Sequence, residues 1–297
     1  MAIENSPSPR LLAGVDYPAT FLEFQVWFST EEKCLDYLAR LRRPNGFVCP
    51  KCGSPESWRT SEYPMRTWFA AIWFVTSQKN GVSALGRQRV PGLKSYETAW
   101  VWMHKLRRAM VVPERHLLGG TVDLDETFVG GISRGKAGRS SDKVPVMVAA
   151  ESLGGNRIGR IRLELTSNGQ FPMIKFAQRV VVPGSTIKTD GARELRRLSG
   201  LGFDHQYFTQ LGSNTPAHID LPAVHLVASL LKRWLIGTMH YGVSREQLGY
   251  YLDEFTFRFS SRTSKSRGLL FYRLIQQSVQ TTPHPMKDLV IPTKDFS

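Results

Sequence analysis

Cysteine is scarce in this chain. Three residues in 297 cannot build the disulfide framework of a small secreted protein, and a reducing, cytoplasmic setting is expected. Long apolar runs are missing as well. The longest, Trp68 to Val75, has eight residues, whereas about 20 are needed to span a bilayer. The N-terminus carries no signal-peptide pattern. Acidic residues are also in deficit: 25 Asp plus Glu stand against 39 Lys plus Arg, for a net charge of +14. Such an excess disfavours a cationic partner and points to a polyanion, most often nucleic acid. The rest of the composition, 41% apolar and 22% charged, is that of an ordinary globular protein with a real core, long enough for about two domains.

The carboxylates that are present fall into a pattern. Thr121-Val-Asp-Leu-Asp-Glu-Thr-Phe-Val-Gly-Gly131 and Thr186-Ile-Lys-Thr-Asp-Gly191 both read as β-strands that end in a carboxylate, with Asp125 and Asp190 at strand ends, and then turn on glycine. Asp125 and Asp190 would converge outside the strand ends, where two carboxylates suit a hard divalent cation, Mg²⁺ or Mn²⁺. Glu126 would point to the opposite face of its strand and be structural. Val224-His-Leu-Val-Ala-Ser-Leu-Leu-Lys232 reads as a helix. At about 100° per residue, His225, Ser229 and Lys232 share a face that Leu226, Leu230 and Leu231 do not. A histidine in an apolar helix is ordinarily a hydrogen-bonded core residue. Here 34 residues separate it from Asp190, the spacing at which polynucleotidyl transferases of the RNase H-like class place their third active-site residue. Asp253 and Glu254 are rival third ligands, but Arg258 beside them suggests an ion pair instead.

Thr30 to Leu41 is an amphipathic helix with acids first and arginine last, capped by Ser29 or Thr30, with Cys34 packed inside it. Cys49-Pro-Lys-Cys52 is half of a zinc ribbon. A structural zinc takes four ligands and no second pair follows, so Cys49 and Cys52 are an incomplete site and stoichiometric Zn²⁺ is not expected. Arg66 to Gln78, Ser83 to Val90 and Ser95 to Met110 are three helices, the last two joined by a turn at Pro91–Lys94 in a helix-turn-helix pattern. Arg87, Arg89, Lys94, Lys105, Arg107 and Arg108 are its candidate DNA contacts. Strands at 121–129, 144–150 and 157–165, a helix at 171–180, a strand at 185–189, a helix at 192–198 and a short strand at 205–208 follow. Arg134, Lys136 and Arg139, in the basic loop that ends at Lys143, are further DNA candidates. Helices at 221–236, 244–257 and 268–279 precede an extended tail.

The expected fold class is therefore α/β: an RNase H-like mixed sheet with flanking helices, preceded by a partial zinc ribbon and a helix-turn-helix-like module. The expected domains are 1–60 (N-terminal helix and partial ribbon), 61–115 (helical DNA-binding module), 116–283 (catalytic) and 284–297 (tail).

Several motifs together are specific. They are Cys49-Pro-Lys-Cys-Gly53, Gln78-Lys-Asn-Gly-Val-Ser-Ala-Leu85, Ser95-Tyr-Glu-Thr-Ala-Trp100, Asp123-Leu-Asp-Glu-Thr-Phe-Val-Gly-Gly131, Thr189-Asp-Gly191, His225-Leu-Val-Ala-Ser-Leu-Leu-Lys-Arg-Trp-Leu235 and Tyr251-Leu-Asp-Glu-Phe-Thr-Phe-Arg-Phe259. With them the chain resembles the ISXO-like insertion-sequence transposases of the DDE superfamily, from Phe28 to Gln280. The resemblance implies an enzyme of the bacterial cytoplasm and nucleoid, working as a homo-oligomer on DNA. It would cut and rejoin DNA at the ends of its own element, using a divalent metal. Asp125 and Asp190 match the first two catalytic positions, and His225 with Lys232 falls on the third, often Glu with Lys seven residues on. The sequence departs from the family in lacking the second cysteine pair and in carrying Ala192 and Leu195 where aromatics are expected. Two alternatives remain: a catalytically dead or internally deleted relative that only binds DNA, and a metal nuclease that hydrolyses without joining.

Overall fold

The computed structural model describes residues 11–49, 51–55, 63–78, 81, 93, 95–111, 116–130, 143–155, 157–166, 170–208, 220–239 and 243–290. Its helices and strands in chain order are α1 (Phe21–Trp27), α2 (Glu31–Arg42), α3 (Met65–Ser77), α4 (Tyr96–Ala109), β1 (Thr121–Val129), β2 (Val144–Ser152), β3 (Ile158–Leu165), α5 (Gln170–Val180), β4 (Thr186–Thr189), a 3₁₀ helix (Arg193–Leu201), β5 (Asp204–Tyr207), α6 (Pro222–Met239), α7 (Leu248–Ser260), α8 (Arg267–Gln280) and α9 (Met286–Val290). The chain divides into two compact units, Met1–Ala109 with Thr263–Pro285 and Met110–Arg262 with Met286–Ser297.

The first unit is helical. Thr30 caps α2 through a hydrogen bond from Lys33 N–H, with Glu31 and Glu32 in the first turn and Arg40 and Arg42 in the last. Cys34 is fully buried in it. Helix α1, which the sequence reading does not assign, has a similar start. The Thr20 hydroxyl accepts from Glu23 N–H, and the Glu23 carboxylate reaches back to Ala19 N–H, close to a capping box. Ser95 caps α4 by accepting from Thr98 N–H. An aromatic cluster ties these helices to α8: Phe28 lies 4.7 Å from Phe69, Phe24 4.8 Å from Trp73 and Phe271 5.3 Å from Phe24.

Helix α8 thus groups with the N-terminal helices, whereas the sequence reading places it in one catalytic segment over 116–283. Phe271 is the physical reason. The tail also differs from the expected extended segment, since it contains α9. The short helix Ser83–Val90 and its turn lie outside the described residues apart from Leu93, which is buried with Ala71, Ala99 and Trp102.

The second unit is built on a five-stranded mixed sheet of order β3-β2-β1-β4-β5. Strand β1 runs antiparallel to β2 and parallel to β4, and β4 runs parallel to β5. Strands β2 and β3 form the hairpin that Gly154-Gly155 suggests, both glycines having positive φ. The order of elements is the one expected, except that the helix after β4 is 3₁₀. Strand alternation assigns the two faces. Val122 and Leu124 pack with Met147, Ala149 and Ile187 under α5 and the 3₁₀ helix. Val129, Val146, Val148 and Ile161 pack under α6 and α7. The α6 face holds the candidate site.

Glu151 fastens the sheet at its base. Its carboxylate accepts hydrogen bonds from Gly119 N–H, Arg160 N–H and the Arg160 guanidinium. Burial opposes its ionisation, but these bonds outweigh burial and hold its pKa below the ordinary glutamate value. A depressed carboxylate pKa contributes stability above the unfolded-state pKa, and that stability is lost as pH falls through the folded one. Glu151→Gln is therefore expected to lower unfolding stability at pH 7 by about 1–3 kcal/mol. The gap to wild type should close as pH falls below the ordinary glutamate range, as read by denaturant titration across pH.

In the first unit, a Cβ added at Gly268 would lie 1.6 Å from the Pro18 carbonyl oxygen. Alanine there should gain up to about 1 kcal/mol in helix propensity, yet Gly268→Ala is expected to be destabilising by about 1–3 kcal/mol net in urea unfolding.

Candidate active site

Asp123 and Asp125 lie on the α6 face of β1, on the same side as Val129. In the parallel register, Thr121, Val122 and Asp123 of β1 stand beside Thr186, Ile187 and Lys188 of β4. Carried two residues further, that register sets Asp190 beside Asp125, on the same face. Strand β4 stops one residue earlier, at Thr189. There the chain turns on Gly191 at φ +82°, and Ala192 N–H bonds back to Asp190 Oδ1 at 3.2 Å. Asp125 is half-buried and Asp190 exposed. The Asp125 carboxylate accepts from Glu126 N–H at 2.7 Å.

Helix α6 crosses this face. Leu221, Val224, Val227, Leu231 and Leu235 bury its apolar side against the sheet. Its start is fixed by a residue that the sequence reading passes over. Asp123, 1% exposed, accepts a 3.0 Å hydrogen bond at Oδ2 from Ala223 N–H, 100 residues away in sequence. Ala223 is the second residue of α6, so a carboxylate from β1 supplies the cap that the chain itself does not. Pro222 opens the helix and Leu221, which has no acceptor side chain, precedes it. That missing local cap is the available signal, together with an acid two positions before Asp125. Burial pushes the Asp123 carboxyl up from its ordinary value, against the pull of Ala223 N–H and the charge of Lys188.

Docked this way, α6 brings His225 and Lys232 to a cavity of about 340 Å³ whose walls include Asp125, Glu126, Lys143 and Val148. Val224 and Ala228 line it too. Ser229, expected on the same face, is exposed and is not among its lining residues. Lys232 is pushed below the ordinary ammonium range, first by desolvation and then by Lys143. Asp190 does not line the cavity, and among the described residues no three His, Cys, Asp or Glu side chains form a group that could hold a metal ion. The donors are nonetheless of the right kind for a hard divalent cation: one carboxylate on β1, another just past the end of neighbouring β4, and an imidazole at the cavity that Asp125 lines.

Residues 117–260 match the family model of the ISXO2-like transposase domain. Over that stretch the chain is similar to ISXO2-like transposase domains. Residues 29–70 match the transposase zinc-ribbon domain. A protein of Halobacterium salinarum, described as an uncharacterized protein in transposable element ISH50, is 25% identical over 288 residues, covering 78% of this chain and 91% of the relative. No solved structure matches the chain. The β1 aspartates, Asp190, His225 and Lys232 all lie inside the matched residues 117–260.

The other candidate residues scatter. Glu254 in α7 is fully buried and paired with Arg258, Oε1 lying 2.7 Å from Nη2, which agrees with its plain role as an ion pair. Arg107 in α4 is only 2% exposed, so it packs inside its unit and is not a surface DNA contact. Its position in the closing turn of an amphipathic helix suggests otherwise. Lys105 and Arg108 are half-buried. Arg87, Arg89, Lys94, Arg134, Lys136 and Arg139 lie outside the described residues. In the ribbon segment, Cys49 N–H bonds to Ser54 C=O and Gly53 N–H to Cys49 C=O, with Gly53 at φ +72°. Backbone N–H groups of Lys51 and Cys52 hold the Cys49 thiol below its ordinary pKa. This knuckle turn is formed, and both cysteines are free thiols.

The Asp123 cap gives a measurable expectation. Asp123→Leu leaves Ala223 N–H without its acceptor, so hydrogen exchange in the first turn of α6 should quicken by roughly tenfold or more. Asp123→Asn keeps an acceptor oxygen and should show much less change. Mass-spectrometric exchange on folded protein checks both, and equal protection in all three proteins would count against the cap.

Proposed function

We propose that this protein is the transposase of an insertion sequence, binding the ends of its element and catalysing metal-dependent DNA cleavage and strand transfer. The observation that supports the reading is the meeting of Asp125, His225 and Lys232 at one cavity on the α6 face of the sheet. Asp125, Asp190 and His225 would hold Mg²⁺ or Mn²⁺. A bound divalent cation supplies acidity to a water or 3′-hydroxyl and charge for the leaving oxygen.

The chain's own groups do the rest. Lys232 holds a phosphate oxygen as a point charge, with Lys143 as a second cation at the same wall. Desolvation, and after it the repulsion from Lys143, lower the Lys232 pKa. A phosphate between them relieves that repulsion, so the pair favours an anion at this spot. The apolar floor from Val148, Val224 and Ala228 limits competing water. The protein acts as a homo-oligomer on DNA, in the cytoplasm and at the nucleoid. Among the described residues no helix is long and apolar enough to cross a membrane.

The spread of Asp190 away from the cavity favours one second reading, a relative that binds DNA without cutting it. DNA binding undiminished by EDTA, with no cleavage under any metal, would select that reading.

The test is cleavage of a substrate carrying the element's end. Imidazole suits Mn²⁺ better than Mg²⁺, so wild type should be faster with Mn²⁺. His225→Ala should lose about 10²-fold or more in rate while circular dichroism shows it folded, and Glu254→Ala should act chiefly through stability. Normal cutting by His225→Ala with a folded but dead Glu254→Ala would move the third ligand to α7.

A further inference from the structure

The 3₁₀ helix that follows Asp190 is long for its kind: nine residues, Arg193–Leu201, where runs beyond three or four are uncommon. With three residues per turn, positions i and i+3 eclipse, and the helix sorts into straight rows. Leu195 and Leu198 form the row buried in the sheet core. Arg193 with Arg196, and Glu194 with Arg197, form the other two rows, and all four are exposed. With the leucine row turned into the core, both remaining rows and their three arginines stand on the solvent side, starting three residues from Asp190.

Strand β5 continues this surface. Tyr207 pairs with Thr189, the residue before Asp190, and is 46% exposed. The Arg196 guanidinium lies 5.0 Å from the centre of the Tyr207 ring, which holds both groups in place. Lys188 stands across from Gln206 in the same ladder, 5.8 Å from the Phe208 ring centre. Two acids lie near. Glu194 sits in the arginine rows, and Asp204, at the far end of β5, takes hydrogen bonds from the Thr186 hydroxyl and the Gln206 amide. Strand alternation turns Lys188 and Asp204 to the other face of the sheet, so on the face of Tyr207 the three exposed arginines stand against Glu194, and the strip is cationic with an exposed aromatic ring beside it.

A solvated charged face needs no exposed ring stacked by arginine. Cations in a row beside an aromatic platform are what a single strand of nucleic acid requires: charges for successive phosphates and a ring on which a base stacks. We infer that Arg193, Arg196, Arg197 and Tyr207 form a binding strip for single-stranded DNA on the sheet face opposite α6, beginning at the turn that follows Asp190. The strip rests on the proposed function for its purpose, but its binding of DNA does not depend on chemistry.

The test uses the full-length protein and a short fluorescent single-stranded oligonucleotide in EDTA, with anisotropy measured over a range of salt. Changing Arg193, Arg196 and Arg197 together to alanine should weaken binding about tenfold or more at roughly 0.1 M salt. It should also reduce the slope of log affinity against log salt by about 2, near 0.7 for each phosphate no longer neutralised. Lysine at the same three positions should restore the slope. Tyr207→Ala should lose roughly 5- to 100-fold in affinity with the slope unchanged, as loss of stacking requires. Circular dichroism and the lysine variant together exclude a folding defect. Wild-type affinity and slope in the triple alanine variant would overturn the strip. Asp125→Asn separates the two ideas: it should bind the oligonucleotide like wild type while failing to cleave. Normal cleavage by Asp125→Asn alongside the expected binding losses would defeat the catalytic reading and leave the strip standing.

Discussion

One hydrogen bond organises the second unit. Asp123 in β1 accepts the Ala223 N–H at the head of α6. A helix N-terminus concentrates unsatisfied N–H groups and partial positive charge, so a buried carboxylate there satisfies both partners. The contact fixes where α6 begins over the sheet. Helix geometry then carries His225 half a turn on and Lys232 two turns beyond that. Asp123 Oδ1 has no donor among the described residues, so the carboxylate is only half satisfied. A purely stabilising design would place an apolar side chain in such a spot. Its retention fits a demand for placement over stability.

Charge is distributed in the same spirit. The chain is poor in acids, and in the second unit those it has lie where local structure needs them. Glu151 binds three strand segments together, Glu254 neutralises Arg258 inside α7, and Asp123 caps α6. Asp125 remains at the cavity, mid-way along β1, and Asp190 stands exposed just past the end of β4. Basic residues take the opposite pattern. Lys143 and Lys232 meet at the cavity, and the arginines after Asp190 stand in solvent. A negative centre ringed by cations suits a phosphodiester, whose charge is attracted by the surroundings even though the centre is acidic.

Much of this is legible in the residues. The strand over 121–129, the helix capped by Thr30 and the order of elements around the sheet follow from alternation, caps and turn glycines, all of which are local. So is the cap of α1, whose Thr20-x-x-Glu23 signature stands in the sequence. The candidate residues are legible through spacing and motif, since His225 shares a helical face with Lys232 and Asp190 follows a strand before glycine. The expectation that Asp125 also stands at a strand end is not met, because β1 pairs with β2 as far as Val129. The expected boundary near residue 283 is not legible, because whether α8 packs beside the sheet or among the N-terminal helices depends on where Phe271 finds other rings.

Tertiary structure alone decided the rest. No local rule announces that a carboxylate in one strand caps a helix 100 residues later, because the pairing exists only once the sheet and helix are packed. The 3₁₀ winding after Asp190 is of the same kind. The sequence marks Leu195 and Leu198 as apolar at a spacing that either helix accepts, and burial against the sheet settles which one forms. The burial of Arg107 is a third case, since an amphipathic pattern shows which face is apolar but not how deeply its flanks sink. What the sequence determined by itself is the set of elements and the chemistry they carry, since propensity, capping and charge act over a few residues. What only the fold decided is which of those groups meet, since that requires distant segments to share one close-packed core.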